Sequence, residues 1–274
     1  DAGEAAVLLA DLGLTDNVTA MELYLRASAA IDCAVPGPHL LPSAVTPRAL
    51  VAALCRSDER PSARITIPEG FHRFAIAARL EGLGIVSREA FLHSSADREL
   101  LERLGLEPAA LPVADTAEGF LFPATYDLPI DSEPATVVEQ LTREAERRWQ
   151  HLVDRHPAGW EQLRGELGLD RRGVLTLASM VEKEAAVADE RPLIASVFLN
   201  RLRDPAFRRL QSDPTAIYGC YAMPEAIAAC RDFDGRPSGA INRDPANVYS
   251  TYVTDGLPPG AIANPGMASL AAVL

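Results

Sequence analysis

Gly173–Pro214 reads GVLTLASMVEKEAAVADERPLIASVFLNRLRDPAFRRLQSDP, a pattern that predicts two helices and a loop. Val174, Leu177, Ala178, Val181 and Ala185 recur at three- and four-residue steps, the spacing of a helix face turned to a core. Asp170 is placed to cap that helix. Charge enters it at Glu182-Lys183-Glu184. At about 100° per residue, Glu182 and Glu184 fall on opposite flanks of the apolar face, and Lys183 points away from it. A carboxylate at the edge of an apolar stripe is partly desolvated, which raises a carboxyl pKa and suits a general acid near neutral pH. A solvated helix shoulder is the commoner use of such charges. The second helix starts at Asp189 or Arg191 with Pro192 in its first turn. Leu193, Ile194, Val197, Phe198 and Leu202 make its apolar face.

Working outward, Leu210-Gln211-Ser212-Asp213-Pro214-Thr215 follows the second helix, then Tyr249-Ser250-Thr251-Tyr252, then Gly256-Leu257-Pro258-Pro259-Gly260-Ala261-Ile262-Ala263-Asn264-Pro265-Gly266. With Ala178-Ser179-Met180-Val181-Glu182-Lys183-Glu184 and Ser196-Val197-Phe198-Leu199-Asn200-Arg201-Leu202, this ordered set resembles the endolytic murein (peptidoglycan) transglycosylases, the MltG/YceG-like family. Weaker echoes lie at Thr66-Ile67-Pro68-Glu69-Gly70 and Glu118-Gly119-Phe120-Leu121-Phe122-Pro123-Ala124-Thr125-Tyr126. The resemblance runs from Ile65 to Ala268 and is strongest from Leu175 onward.

The resemblance implies an α+β fold, mostly helical. A small LysM-like region over residues 1–106 precedes a lysozyme-related catalytic domain over residues 107–274, cut short at its C-terminus relative to the family. It implies cleavage of the β-1,4 bond between N-acetylmuramic acid and N-acetylglucosamine, leaving 1,6-anhydro ends. Periodicity does not choose between the two glutamates; the resemblance selects Glu182 as catalytic. Glu184 is then a structural carboxylate pairing with an arginine of the neighbouring helix. Gln211, Ser212 and Asp213 are candidates for hydrogen bonds to an N-acetyl group and to Glu182, or for a helix-cap cluster. Tyr249 and Tyr252, each with an apolar face and a polar tip, are candidates to line the cleft. Leu257 and Pro258 lie in a Gly- and Pro-rich irregular loop expected to form one lip of it. Peptidoglycan strands and peptidoglycan synthases are the implied partners. The implied location is the periplasmic side of the inner membrane in a bacterial envelope, through an N-terminal anchor outside this chain. A muramidase-type hydrolase and a non-catalytic wall-binding protein are the competing readings.

Composition narrows the classes. The 274 residues carry 26 Lys and Arg against 38 Asp and Glu, a net charge of −12. That argues against nucleic acid or an anionic membrane surface as the main partner, since either calls for a basic patch. No apolar run is long enough to span a bilayer. No His or Cys cluster has metal-ligand spacing and no glycine loop cradles a phosphate, so no cofactor is implied. An even count of cysteines permits disulfides in an exported protein; of the three connectivities four cysteines allow, Cys33–Cys55 with Cys220–Cys230 is the one expected.

Toward the N-terminus, helices are expected over Gly3–Leu12, from Asn17 or Thr19 to Ala30, and from Thr46-Pro47. A turn falls at Pro36-Gly37-Pro38 and a loop at Ser57–Ser62. Arg64–Ile67 reads as a strand. Phe120–Tyr126 reads as a core plug or an aromatic cleft wall. From Pro134 a long helix turns Val138, Leu141, Ala145, Trp149 and Leu152 inward.

Overall fold

The computed structural model describes residues 1–34, 46–55 and 61–274, which form two units, Asp1–Pro61 and Ser62–Leu274. Four helices are described in the first: α1 (Ala2–Asp11), α2 (Val18–Ala27), α3 (Ala30–Cys33) and α4 (Pro47–Leu54). Side chains of Asp1, Asn17 and Thr46 accept from the backbone N–H groups of their first turns, the usual role of these residues at a helix start. Ala6, Leu9, Met21, Leu25 and Leu50 make a small core. Leu8 and Leu12 are exposed; Ala2, Ala6 and Leu9, spaced by four and three, are the residues turned inward. A disulfide joins Cys33 to Cys55. The expected turn at residues 36–38 and most of the loop at 57–62 lie outside the described residues.

The second unit contains β1 (Ser62–Thr66), α5 (Arg73–Gly82), α6 (Arg88–Ser94), α7 (Arg98–Arg103), β2 (Thr125–Pro129), α8 (Pro134–Arg155), α9 (Pro157–Leu167), α10 (Arg171–Glu184), α11 (Arg191–Arg203), α12 (Asp213–Ala222), α13 (Gly239–Arg243) and α14 (Met267–Val273). It is mostly helical, with one antiparallel pair in the register Ser62↔Pro129 to Thr66↔Thr125. That pairing moves the boundary expected at 106/107. Strand β1 hydrogen-bonds to a strand beyond it, and Ile65, Ile76, Leu80, Phe91 and Leu101 share one core with Phe120, Leu141 and Val174. Residues 62–106 therefore pack as part of the second unit. Within that core the five inward positions expected of α8 are all buried, and Trp160 of α9 meets Trp149 edge-to-face at 5.1 Å.

Helix α10 is the axis of this unit. Asp170 caps it, accepting from Gly173 N–H at 2.7 Å. The pattern predicts a one-sided face, yet every residue from Val174 to Val181 is buried, as in a helix enclosed on all sides. Its internal hydroxyls are satisfied: Thr176 donates to Arg172 C=O at 2.8 Å and Ser179 donates to Thr176 C=O at 2.7 Å. Ser179 Oγ also accepts from Ile262 N–H at 3.0 Å, which fastens the Gly256–Gly266 segment to α10. That segment is an internal strap rather than a lip, for Pro258 and everything from Gly260 to Gly266 are buried. In α11, Ala195 and Phe198 face the core, whereas Leu193 and Val197, expected beside them, point to solvent.

Candidate active site

The C-terminal turn of α10 divides its two carboxylates between different neighbours. Glu182 Oε1 accepts from Arg191 of α11 at 3.1 Å. Its Oε2 accepts from Gly266 N–H at 3.1 Å and Ser269 Oγ at 2.6 Å. The Glu182 side chain is 7% exposed and that of Arg191 15%. Glu184, exposed at the helix end, accepts from Ser212 Oγ at 2.6 Å. The opposite-flank expectation thus matches the geometry, but the partners are exchanged: the arginine of the neighbouring helix holds Glu182, and the Ser212 hydroxyl meets Glu184.

Around Ser212 the predicted polar residues do converge. Ser212 N–H donates to Thr251 Oγ1 at 2.9 Å and Gln211 N–H to Thr251 C=O at 3.1 Å. Gln211 is exposed and takes the left-handed conformation, φ 55°, which costs a residue with a Cβ about 1 kcal/mol. Asp213 Oδ1 accepts from Tyr252 Oη and Asn242 Nδ2, each at 2.7 Å. That hydrogen bond, with burial second, pushes the Tyr252 phenol up to about 12. Gln211, Ser212, Asp213 and Tyr252 therefore share the Glu184 side of α10, and Leu257 is half-buried. Tyr249 and Pro258 do not fit their expected roles. Tyr249 is 1% exposed with its ring 4.8 Å from that of Tyr218, and Pro258 is buried in the strap.

Three titratable residues outside the expected set adjoin this helix end. Glu69 carries its carboxyl against Gly266; desolvation, then the charge of Glu182, raises it above the usual carboxylate range. Glu118, 2% exposed, accepts from Arg73 N–H at 2.8 Å, Tyr218 Oη at 2.9 Å and Asn264 Nδ2 at 2.7 Å. Burial outweighs those donors and lifts it to about 7. His72 caps α5, its Nδ1 accepting from Ala75 N–H at 3.1 Å; burial, then Lys183, lowers it to about 4. In the sequence only the Pro68-Glu69-Gly70 and Glu118-Gly119 echoes mark two of these positions. Among the described residues no group of three His, Cys, Asp or Glu side chains is placed to hold a metal.

Fold and site define a mostly helical α+β protein built around a carboxylate-bearing helix end. A sequence model of the YceG-like family matches residues 1–274, and the chain belongs to that family. It is 30% identical over 219 residues to the endolytic murein transglycosylase of Bacillus subtilis strain 168, a match over 77% of this chain and 55% of that protein. It is 31% identical over 220 residues to the endolytic murein transglycosylase of Streptococcus pneumoniae serotype 2, over 75% of this chain and 37% of that one. The chain thus spans about half the length of the first relative and little over a third of the second. A crystal structure of a YceG-like protein of Listeria monocytogenes shares the fold, with a TM-score of 0.58 at 24% identity over 100% of this chain and 86% of that one.

Proposed function

We propose that the chain carries the catalytic part of an endolytic lytic transglycosylase acting on peptidoglycan glycan strands, with Glu184 as its proton donor. One observation carries the assignment to Glu184. It is the exposed carboxylate of the pair, and the segments bearing Gln211, Ser212, Asp213 and Tyr252 gather on its side. Glu182, chosen by the family pattern, has both oxygens engaged by Arg191, Gly266 and Ser269 inside the fold. A general acid must come within hydrogen-bond reach of the bridging oxygen.

In this reading Glu184 gives its proton to the glycosidic oxygen as the bond to C1 of the muramoyl residue breaks. The carbonyl oxygen of that residue's N-acetyl group closes on C1. The Glu184 carboxylate then takes the proton of the C6 hydroxyl, O6 displaces the amide oxygen, and a 1,6-anhydro ring forms. Water is not consumed. A sugar lying over the carboxyl removes water from it, and desolvation favours the protonated form needed at the start. Ser212 holds the carboxyl in place, and Gln211, Asp213, Tyr252 and Leu257 are the proposed substrate contacts.

The test is digestion of uncross-linked glycan strands by the wild type, Glu184→Gln and Glu182→Gln, with the ends read by mass spectrometry. Anhydro ends that vanish in Glu184→Gln, with the melting transition unchanged, bear the reading out. Loss in Glu182→Gln alone, with the fold intact, returns the role to Glu182. Reducing ends point to a muramidase-type hydrolase, and binding without cleavage to a scaffolding protein.

Three wider proposals belong with this one. The paired cysteines favour an oxidising compartment, in keeping with the periplasmic side of the inner membrane and with peptidoglycan synthases as partners. No described helix is long and apolar enough to cross a membrane. A carboxylate ending an enclosed helix supports the lysozyme-related reading expected of residues 107–274. The LysM-like accessory region expected over residues 1–106 is proposed with the separately cored first unit as its N-terminal part. Deleting that unit without changing retention on murein sacculi would remove that role.

A further inference from the structure

Beside the helix end that carries Glu184 lies a cluster of rings the mechanism does not use. His72 sits 4.5 Å from Tyr221 and 5.7 Å from Phe74, centroid to centroid. Phe74 stacks on Tyr221 at 6.2 Å, and Phe233 meets Tyr221 edge-to-face at 5.3 Å. The rings come from three places in the chain: the start of α5, the end of α12, and the segment after Cys230. The Cys220–Cys230 disulfide ties the last two together. His72, Phe74 and Phe233 are half-buried, and Tyr221 is 37% exposed. Rings gathered only to fill a core would be covered, as Tyr218 and Tyr249 are beneath them.

Two further observations say what such a surface suits. His72 is held neutral, since partial burial disfavours its charged form and Nδ1 accepts from Ala75 N–H, so the cluster offers uncharged aromatic faces. On the His72 side the cluster has cations beside it, although the chain as a whole is −12 and Asp232 and Asp234 flank Phe233. Lys183, Arg73 and Arg88 all act on His72, and the Arg73 guanidinium lies 4.6 Å above the Phe74 ring. Neutral aromatic faces fit the apolar side of a pyranose, and a rim of cations fits carboxylates attached to it. The cluster is continuous with the candidate active site. Lys183, beside Glu184, approaches Gly70 C=O at 3.5 Å, and α12 leads from Ser212 to Tyr221 over about 14 Å.

We propose that His72, Phe74, Tyr221 and Phe233 form a stacking platform for a sugar ring bearing an acidic peptide substituent, a subsite along the strand from the bond at Glu184. The proposal rests on the transglycosylase reading of that site and adds to it where the neighbouring part of the strand lies and that stem-bearing sugars are preferred.

The experiment compares wild type, Tyr221→Leu and Phe233→Leu on uncross-linked strands that keep their peptide stems and on strands stripped of them. Leucine keeps the apolar bulk and removes the ring face, and thermal melting checks that each variant folds. Each substitution is expected to raise KM about tenfold on stem-bearing strands, the size of one lost anchoring side chain, with a much smaller change in kcat. The wild type should lose several-fold in KM when the stems are removed. Wild-type KM values in both folded variants would overturn the platform, and equal wild-type KM on both strands would overturn the acidic substituent. A wild type that cleaves while the variants keep its KM sinks the platform alone. A wild type that neither binds nor cleaves sinks the function reading and the platform with it.

Discussion

Glu182 and Glu184 stand two residues apart on α10 and are held from opposite sides, the first by Arg191 at 3.1 Å and the second by Ser212 at 2.6 Å. The difference in exposure sets what each is worth to the fold. Removing one member of a largely buried pair leaves the other charge without its partner, which costs about 3 kcal/mol or more. Arg191→Ala and Glu182→Ala are therefore expected to lower the stability of the chain by that order in urea unfolding. Glu184→Ala, which removes an exposed hydrogen bond, is expected to cost under about 1 kcal/mol. A Glu182→Ala protein as stable as the wild type would contradict the clamp.

Gln211 is a cheaper test of the same side of the helix. Its φ of 55° is a conformation glycine adopts without penalty. Gln211→Gly is expected to leave stability unchanged or to raise it by up to about 1 kcal/mol. If the side chain contacts the strand, turnover of glycan falls in the same protein. A stable and fully active Gln211→Gly would make Gln211 a turn residue only.

How far the sequence speaks to all this depends on what each pattern encodes. Periodicity gives direction from a helix axis, so the opposed flanks of Glu182 and Glu184, the cap at Asp170 and the buried stripe of α8 were legible. It does not give neighbours, so the partners of the two glutamates were exchanged. Tyr249 and Tyr252 look alike as phenols three apart, yet one packs on Tyr218 and the other reaches Asp213. The Gly- and Pro-rich strap carries few large side chains and reads as a surface loop. Its burial comes from tertiary bonds to Ser179, Phe71 and Glu118 that no local pattern announces. The start of helix α12 is only half legible, because Asp213-Pro214 reads equally well as a turn or as the cap of a helix. Both expected cysteine pairs are disulfides in the structure.

Glu118 predicts a pH dependence with a definite sign. Its ordinary value is 4.5 and burial lifts it to about 7 in the folded chain. Below 4.5 the group is protonated in both states and its contribution to stability is complete. Between those values the unfolded chain ionises while the folded chain keeps its proton. Stability from this group therefore falls as pH rises, by about 3 kcal/mol once pH passes 7. Glu118→Gln, which imitates the protonated form, should match the wild type near pH 5 and exceed it near pH 8 in urea unfolding. A difference between the two proteins that does not change with pH would exclude the buried carboxyl as its source.

Gly266 and Glu69 make the last prediction, because there the space left by a missing side chain is occupied. A Cβ on Gly266 would fall on the Glu69 carboxyl group, and the Gly266 N–H is one of the donors that hold Glu182. Gly266→Ala must therefore push Glu69 aside or shift the backbone that binds Glu182, and it is expected to destabilise the chain. Glu69→Ala alone empties that space and removes a carboxylate that lies against the charge of Glu182, so it should cost little. Combined, the two changes should cost less than the sum of the single effects, with a coupling of about 1 kcal/mol or more, as for residues in contact. Urea unfolding of the four proteins closes the cycle. Strict additivity would mean that the backbone at Gly266, rather than the Glu69 carboxyl, resists the added methyl group.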